Sequence, residues 1–427
     1  MHIYFSGIGG TGIGPLALIA KQAGYDVSGS DKQHSQYIDY LKKQGVNRIS
    51  IGQDYQTIAF AHTHDPIDWV VYSSALPKEN PNHPELLFAE QNQIRRSKRD
   101  EFLNHLLKDT SQKLIAIGGT HGKTTTTAMT VWLAQQLELP MSYLVPAKIS
   151  FGEMGHFDET AEYFIYEADE YDRNFLSYTP AMSIISGIDW DHPDVYPTRE
   201  EYYEAFREFL DASDKSVLWQ ADAKRIAINE TNARTVLAED TDLTHLKLVG
   251  EVNRRNAHAA IVALEKLGFG TYNDIAPCMQ DFPGVSRRFE KIADNIYSDY
   301  AHTPEKIRGA LQLAHEVAGD NLIVIYEGLH NTRQHFIKEE LKHLFDDVKE
   351  LYIVPSYLAR EDPDLEMLTP ENLISLTSKP DIATASKLDD ELKKTISKQA
   401  EAGNLVLCLT AGGGGSLDEW LRNSYST

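Results

Sequence analysis

Leu114-Ile115-Ala116-Ile117-Gly118-Gly119-Thr120-His121-Gly122-Lys123-Thr124, continued by Thr125-Thr126-Thr127, is the stretch on which the reading of this chain turns. An apolar run of strand length meets a glycine loop, and Gly122-Lys123-Thr124 then opens a helix. Such a loop turns successive backbone N–H groups toward phosphate oxygens. The lysine adds a point charge, and the threonine hydroxyl suits Mg²⁺. The spacing departs from G-x-x-x-x-G-K-[ST], because Ile117 stands five residues before Gly122; Gly118 and Gly119 supply the flexibility instead. Gly119, Thr120, His121, Gly122, Lys123, Thr124 and Thr125 are therefore the candidate nucleotide-phosphate site.

Around this loop, strand-like apolar runs alternate with amphipathic segments of helix length, the pattern of α/β folds with parallel sheets. Residues 2–6, 26–30 and 69–72 read as strands and 11–23 as a helix, while Arg95 to Lys108 reads as a connecting helix. A polar break at Asp109 to Lys113 precedes the phosphate-loop strand, and Asp281-Phe282-Pro283-Gly284 is a turn signal. After it come strands at 296–298, 322–326, 351–354 and 405–409. The expected division is 1–108, 109–283 and 284–427, which suits 427 residues at roughly 150 per domain.

The net charge of −22 (41 basic against 63 acidic residues) argues against a nucleic-acid backbone as partner. It leaves a nucleotide open, because a local basic loop and Mg²⁺ reverse the field. Cys278 and Cys408 are the only cysteines, so neither a disulfide framework nor a thiolate metal cluster is expected. Met1 to Phe5 is apolar but runs straight into glycines, with no basic leader or cleavage site, and no apolar run reaches 18 residues. A cytoplasmic protein without membrane insertion is expected.

Gly7-Ile8-Gly9-Gly10-Thr11-Gly12 follows the first strand and precedes a helix, and Asp31 stands 19 residues after Gly12. This resembles the Rossmann dinucleotide fingerprint, in which the acid meets ribose hydroxyls. Alone it supports a nicotinamide-dependent oxidoreductase. The same loop also suits the diphosphate of a UDP-sugar. Glu167-Ala168-Asp169-Glu170 ends the strand 163–166, and Asp189-Trp190-Asp191-His192 ends the apolar run 182–188. Carboxylates at such strand ends, in a sheet with a phosphate loop, suit a hard cation, although an acidic cluster alone is also an ordinary solvated turn.

Taken in order, Gly119-Thr120-His121-Gly122-Lys123-Thr124, Glu167-Ala168-Asp169-Glu170 and the Asp191-His192 strand end resemble the Mur ligases, ATP-dependent amide ligases of peptidoglycan synthesis. Ser28-Gly29-Ser30-Asp31, Ser73-Ser74-Ala75, Arg95-Arg96, Asn253, Asn256, Arg287-Arg288-Phe289, Asp299-Tyr300-Ala301-His302 and Tyr357-Leu358-Ala359-Arg360-Glu361 extend the likeness along the whole chain. The resemblance implies three domains: a Rossmann-like UDP-binding domain, a central P-loop-type ATPase domain with a mostly parallel sheet, and a Rossmann-like carboxy-terminal domain. It further implies UDP-N-acetylmuramate and L-alanine as substrates, ATP and Mg²⁺ as cofactors, and a monomer or homodimer.

Residue roles follow from the same resemblance. Lys123 would contact the β/γ phosphates, Thr124 and Glu167 one Mg²⁺, and His192 a second. Arg288 would reach the γ-phosphate, and Arg333 would bind the incoming carboxylate. Asn253 and Asn256 match the adenine pair, and Asp299 the ribose contact. Gly9, Gly10, Thr11, Gly12, Asp31, Ser73, Ser74 and Arg96 fall to the UDP-substrate. Asp299 as the cap of a helix near Pro304, and His302 as a packing residue, remain open readings.

The chain departs from the family pattern at Val252, where a His is usual, at Gly52-Gln53, at Val145-Pro146-Ala147-Lys148, and at Gly328-Leu329-His330-Asn331-Thr332-Arg333, where His330 is displaced by one position. The stretch from Leu210 to Val252 is also compact. These departures bear on the incoming amine, and a whole tripeptide, as in peptidoglycan recycling, is the alternative to L-alanine.

Overall fold

The computed structural model describes residues 1–192, 195–358 and 361–425. Its strands form three sheets. The first contains β1 (His2–Ser6), β2 (Asp26–Asp31), β3 (Arg48–Ile51), β4 (Trp69–Tyr72) and β5 (Arg95–Lys98), all parallel, in the order β3-β2-β1-β4-β5. The connecting helix expected from Arg95 begins only at Arg99 and runs Arg99–Thr110; the four residues before it are edge strand β5. An edge strand of four polar residues has no apolar alternation to reveal it, and its charges suit an exposed sheet edge. Pairing with β4 buries Ser97, and the Arg95 guanidinium lies 3.3 Å from the centre of the Trp69 ring.

The second sheet contains β6 (Lys113–Gly118), β7 (Met141–Leu144), β8 (Gly155–His156), β9 (Tyr163–Glu167), β10 (Met182–Ile185), β11 (Ser216–Trp219) and β12 (Arg234–Leu237). Its order is β12-β11-β10-β6-β9-β7-β8, parallel except for β8. Strand β6 is central, so the glycine loop leaves the sheet between the ends of β9 and β10. β10 stops short of the apolar run 182–188 because Ser186 and Gly187 turn to the loop. The Ser186 N–H donates to Gly118 O at 3.0 Å, and Gly187 O accepts from the Thr120 N–H at 2.8 Å. One hydrophobic core joins both sheets, from Phe5, Phe102 and Leu106 to Ala116, Tyr166 and Phe206.

Residues 1–246 with 256–283 accordingly form one compact unit, and 247–255 with 284–427 a second. The second holds β13 (Glu290–Ala293), β14 (Ile296–Asp299), β15 (Leu322–Leu329), β16 (Glu350–Tyr357), β17 (Ala383–Ala385) and β18 (Leu405–Leu409), ordered β13-β14-β18-β15-β16-β17 and parallel except for β13. Its sheet is apolar on both faces. Val324 and Leu407 enter one core with Leu311 and Phe345, while Ile325 and Cys408 enter another with Ile396, as the two-residue period of a strand requires. Among the described residues, no helix is long and apolar enough to cross a membrane.

Candidate active site

The glycine loop is shaped by backbone geometry. Gly119 has φ +133° and Gly122 φ +79°, values that side chains resist. A Cβ at Gly119 would lie 2.6 Å from Ser186 Oγ, and one at Gly122 would lie 3.1 Å from the Asn256 amide, so Asn256 packs on the loop. Thr120 is tied down on both sides: its hydroxyl lies 2.6 Å from Asp189 O and 2.7 Å from the Tyr202 hydroxyl. The His121 ring lies under Gly187, with Nδ1 3.6 Å from Asp189 Oδ2. Thr125 is half-buried in the first turn of the helix Lys123–Gln136.

Lys123 lies within this cradle. Its Nζ donates to Gly119 O and to Glu170 Oε2, both at 2.6 Å. The side chains are only 12% and 1% exposed. Burial opposes both charges, yet the pair sustains them. Glu170, Asp169 and Glu167 together raise the ammonium, while Lys123 and His192 bring the Glu170 carboxyl down to about 2. Beside the pair, the Thr124 hydroxyl donates to Glu167 Oε2 at 2.8 Å, so the two predicted metal residues touch. His192 Nε2 stands 3.7 Å from Glu170 Oε1, a buried oxygen with no hydrogen-bond partner among the described residues. A hydroxyl and two carboxylates, one with an unused buried oxygen, fit a hard divalent cation. Pro193, the next residue in the chain, lies outside the described residues.

His192→Ala removes one donor and leaves the Thr124–Glu167 pair intact. The Mg²⁺ concentration for half-maximal rate is expected to rise about tenfold or more. A Mg²⁺ titration of initial rates measures this, and an unchanged requirement would leave His192 a structural residue.

The first glycine loop is assembled differently. Ser30 O accepts the N–H groups of Gly7 and Ile8, both at 2.9 Å, and Asp31 Oδ2 accepts the Gly9 N–H at 2.8 Å. Gly10 and Thr11 continue the loop to Gly12, which caps the helix Ile13–Gln22, while Ser73 and Ser74 follow β4 at the same sheet edge. Arg96 is not among them. It is level with Val70 and Tyr4, two residues back from the strand ends, and its guanidinium is held by Glu90 and Leu86 O, each at 3.1 Å. Gln53, at a departure from the family pattern, donates to Ser6 Oγ at 3.2 Å. Ser6, Tyr4 and Ser30 in turn all donate to Glu85, a fully buried carboxylate that no spacing rule singles out.

In the second unit, Asp299 is no helix cap. It accepts the Phe289 N–H at 2.8 Å, and the helix Pro304–Ala318 is preceded by Thr303. Burial raises the Asp299 carboxyl to about 6 against the pull of Arg288. The two arginines part company. Arg287 is spent on Gly412 O at 2.9 Å and Asp418 at 3.3 Å, whereas Arg288 makes one long bond of 3.3 Å to Tyr300 O. His302 is buried, its Nδ1 lacks a hydrogen-bond partner among the described residues, and burial followed by Lys306, Arg333 and Arg288 depresses its basicity. Arg333 and Arg288 thus both act electrostatically on His302. Glu361 accepts the Thr332 N–H at 2.9 Å and lies 3.5 Å from His330 Nδ1; Ala359 and Arg360 of the quoted segment lie outside the described residues. Asn253 bonds back to Val249 O at 2.9 Å, four residues before it.

Glu327 braces the glycine-rich turn after β18, accepting the Ala411 and Leu417 N–H groups, both at 2.9 Å. Burial raises its carboxyl from 4.5 to about 7. The folded unit therefore holds this proton more tightly than the unfolded chain does. Its contribution is fully present below pH 4.5 and falls by roughly 3 kcal/mol as pH rises through 7. Urea midpoints of wild type and Glu327→Gln between pH 5 and 8 are expected to differ in slope in that sense, and parallel profiles would contradict it.

Comparisons with known proteins point to one family. Three family models match in succession: "Mur ligase family, catalytic domain" over residues 2–110, "Mur ligase middle domain" over 117–239, and "Mur ligase, glutamate ligase domain" over 287–412. A UDP-N-acetylmuramate–L-alanine ligase of Nocardioides sp. is 32% identical, with 96% of this chain and 93% of that protein covered. One from Clostridium botulinum (strain Eklund 17B) is 29% identical, with 96% and 94% covered. The fold matches the crystal structure of UDP-N-acetylmuramate–alanine ligase from Thermotoga maritima with TM-score 0.77, 24% identity and 99% and 98% coverage. It matches a murein peptide ligase from Psychrobacter arcticus with TM-score 0.67, 22% identity and 100% and 99% coverage. None of these relatives is a nicotinamide-dependent oxidoreductase, the alternative that the first glycine loop suggested. With a relative above 30% identity along nearly its whole length, and three family domains in their proper order, the chain belongs to the Mur ligase family.

Proposed function

We propose that this chain is an ATP-dependent ligase that joins L-alanine to the carboxylate of UDP-N-acetylmuramate, a cytoplasmic step of peptidoglycan precursor synthesis. The observation that carries the reading is the pairing of Lys123 with Glu170 beside Thr124 and Glu167, a phosphate cradle and a hard-cation site side by side. The relatives named for this activity, which align over 96% of the chain, support the choice of substrates. In this reading 1–108 holds the UDP-sugar, 109–283 the ATP, and 284–427 the incoming amino acid.

A carboxylate is a poor acyl donor, so it is first phosphorylated: its oxygen attacks the γ-phosphorus and ADP leaves. The amine then attacks the acyl phosphate, and phosphate departs from the tetrahedral intermediate. Lys123 holds the phosphates, aided by the N–H groups at the start of its helix. Thr124, Glu167 and His192 would hold Mg²⁺, which neutralises the meeting anions when bound. Asn253 and Asn256 serve adenine, Asp299 the ribose and Arg288 the γ-phosphate. Arg333, one of the cations that act on His302, takes the carboxylate of the amino acid.

Phosphate release with ATP, Mg²⁺ and UDP-N-acetylmuramate tests the proposal, with L-alanine, glycine, L-serine and the tripeptide offered separately. Release and amide product with L-alanine above the others is expected. Release only with the tripeptide would make the chain a recycling ligase, and silence with every amine would leave a binding or regulatory protein.

A further inference from the structure

The run Arg95-Arg96-Ser97-Lys98-Arg99 carries four cations, and the structure divides them. Arg95 and Arg96 are spent on the sheet edge, against Trp69 and Glu90. Lys98 and Arg99 are carried to the carboxyl end of the sheet, because Lys98 pairs with Tyr72, which pairs with Ser6, the residue before the first glycine loop. Ligands of open parallel sheets bind at that edge.

Arg99 lies directly on the loop. A Cβ on Gly12 would stand 2.6 Å from one guanidinium nitrogen, Nη1, so the guanidinium occupies the space that the glycine leaves. Its other terminal nitrogen, Nη2, is held by Asp169 at 3.2 Å, and Lys98 is held by Asp172. Neither cation serves its own helix. Both sit at the N-terminus of Arg99–Thr110, where the helix dipole disfavours positive charge. The N–H groups of Gly7, Ile8, Gly9 and Gly10 are spent within the fold, but Gly12 gives the facing helix Ile13–Gln22 no side-chain cap, so the N–H groups that open this helix lie beside a fixed guanidinium.

We propose that Arg99, not Arg96, is the diphosphate clamp of the first glycine loop, with Asp169 as the residue that positions it. This rests on the reading that the loop takes a UDP-sugar. A guanidinium presents a rigid fork, so one edge can stay on Asp169 while the other meets phosphate oxygens; an ammonium cannot hold both. The same fork ties the sugar-nucleotide site to the acidic segment that carries Glu167 and Glu170.

The test is calorimetric titration of wild type, Arg99→Ala and Arg99→Lys with UDP-N-acetylmuramate and, separately, with uridine. Arg99→Ala is expected to weaken UDP-N-acetylmuramate at least about tenfold and leave uridine unchanged, with Arg99→Lys in between. Two results overturn the inference: wild-type affinity for UDP-N-acetylmuramate in Arg99→Ala, or an equal loss for both ligands, which marks a scaffold. If wild type itself does not bind UDP-N-acetylmuramate, the sugar-nucleotide reading fails first. Arg99→Lys, which keeps the charge and most of the packing, decides the matter if Arg99→Ala does not fold.

Discussion

Lys123→Ala is expected to lower turnover by on the order of 10²–10³-fold or more, with UDP-N-acetylmuramate affinity nearly unchanged. The ammonium bonds both the loop, at Gly119 O, and Glu170. Its removal has a second consequence, since Glu170 is 1% exposed and Lys123 is its strongest neutralising partner. Breaking a buried pair on one side costs about 3–5 kcal/mol, because the remaining charge is uncompensated. The single variant should therefore lose both activity and stability. Lys123→Ala combined with Glu170→Gln should recover much of the stability and none of the turnover. Thermal unfolding and phosphate release on wild type, Lys123→Ala, Glu170→Gln and the double variant separate the two effects, and full activity in the double variant would refute the loop assignment.

Glu170→Gln is expected to reduce turnover by about tenfold to a hundredfold while nucleotide affinity stays the same or rises. In the structure the Glu170 carboxylate occupies Lys123, and phosphates must compete with it for that ammonium. Glutamine keeps the shape and removes the competing charge, so ADP should bind no more weakly than to wild type. Turnover falls because Oε1, the buried oxygen facing His192, no longer offers a charge to the cation or the reacting groups. Opposite movements of affinity and rate distinguish this from general damage, which would lower both. Weaker ADP binding in Glu170→Gln would show that Glu170 supports the nucleotide rather than competing with it.

Much of this molecule is legible in local chemistry. A strand, a glycine loop and a Lys-Thr helix start are adjacent in sequence, so the strand–loop–helix unit around Lys123 follows from short-range spacing alone. The same is true of the apolar strands 2–6, 69–72 and 405–409, whose bounds coincide with those in the structure. Strand β5 and residues Arg99, Glu85 and Glu170 were not legible as they function. β5 is polar and is a strand only because β4 supplies its hydrogen bonds. Arg99 meets Gly12 across 87 residues, and Glu85 meets Ser6 across 79. Glu170 stood in a quoted motif, yet nothing in the motif says which of three carboxylates receives the lysine.

By itself the sequence determined the α/β class, the two glycine loops and the order of the family motifs, since each depends on spacings within one strand–loop–helix unit. Only the tertiary structure decided that Lys123 pairs with Glu170, that Arg287 is consumed within its own unit while Arg288 bonds Tyr300 O, and that Arg99 rather than Arg96 reaches the first loop. Those outcomes depend on strand register and on which charges share a buried space. A shift of one residue turns a side chain to the opposite face of a sheet, and no local pattern carries that information.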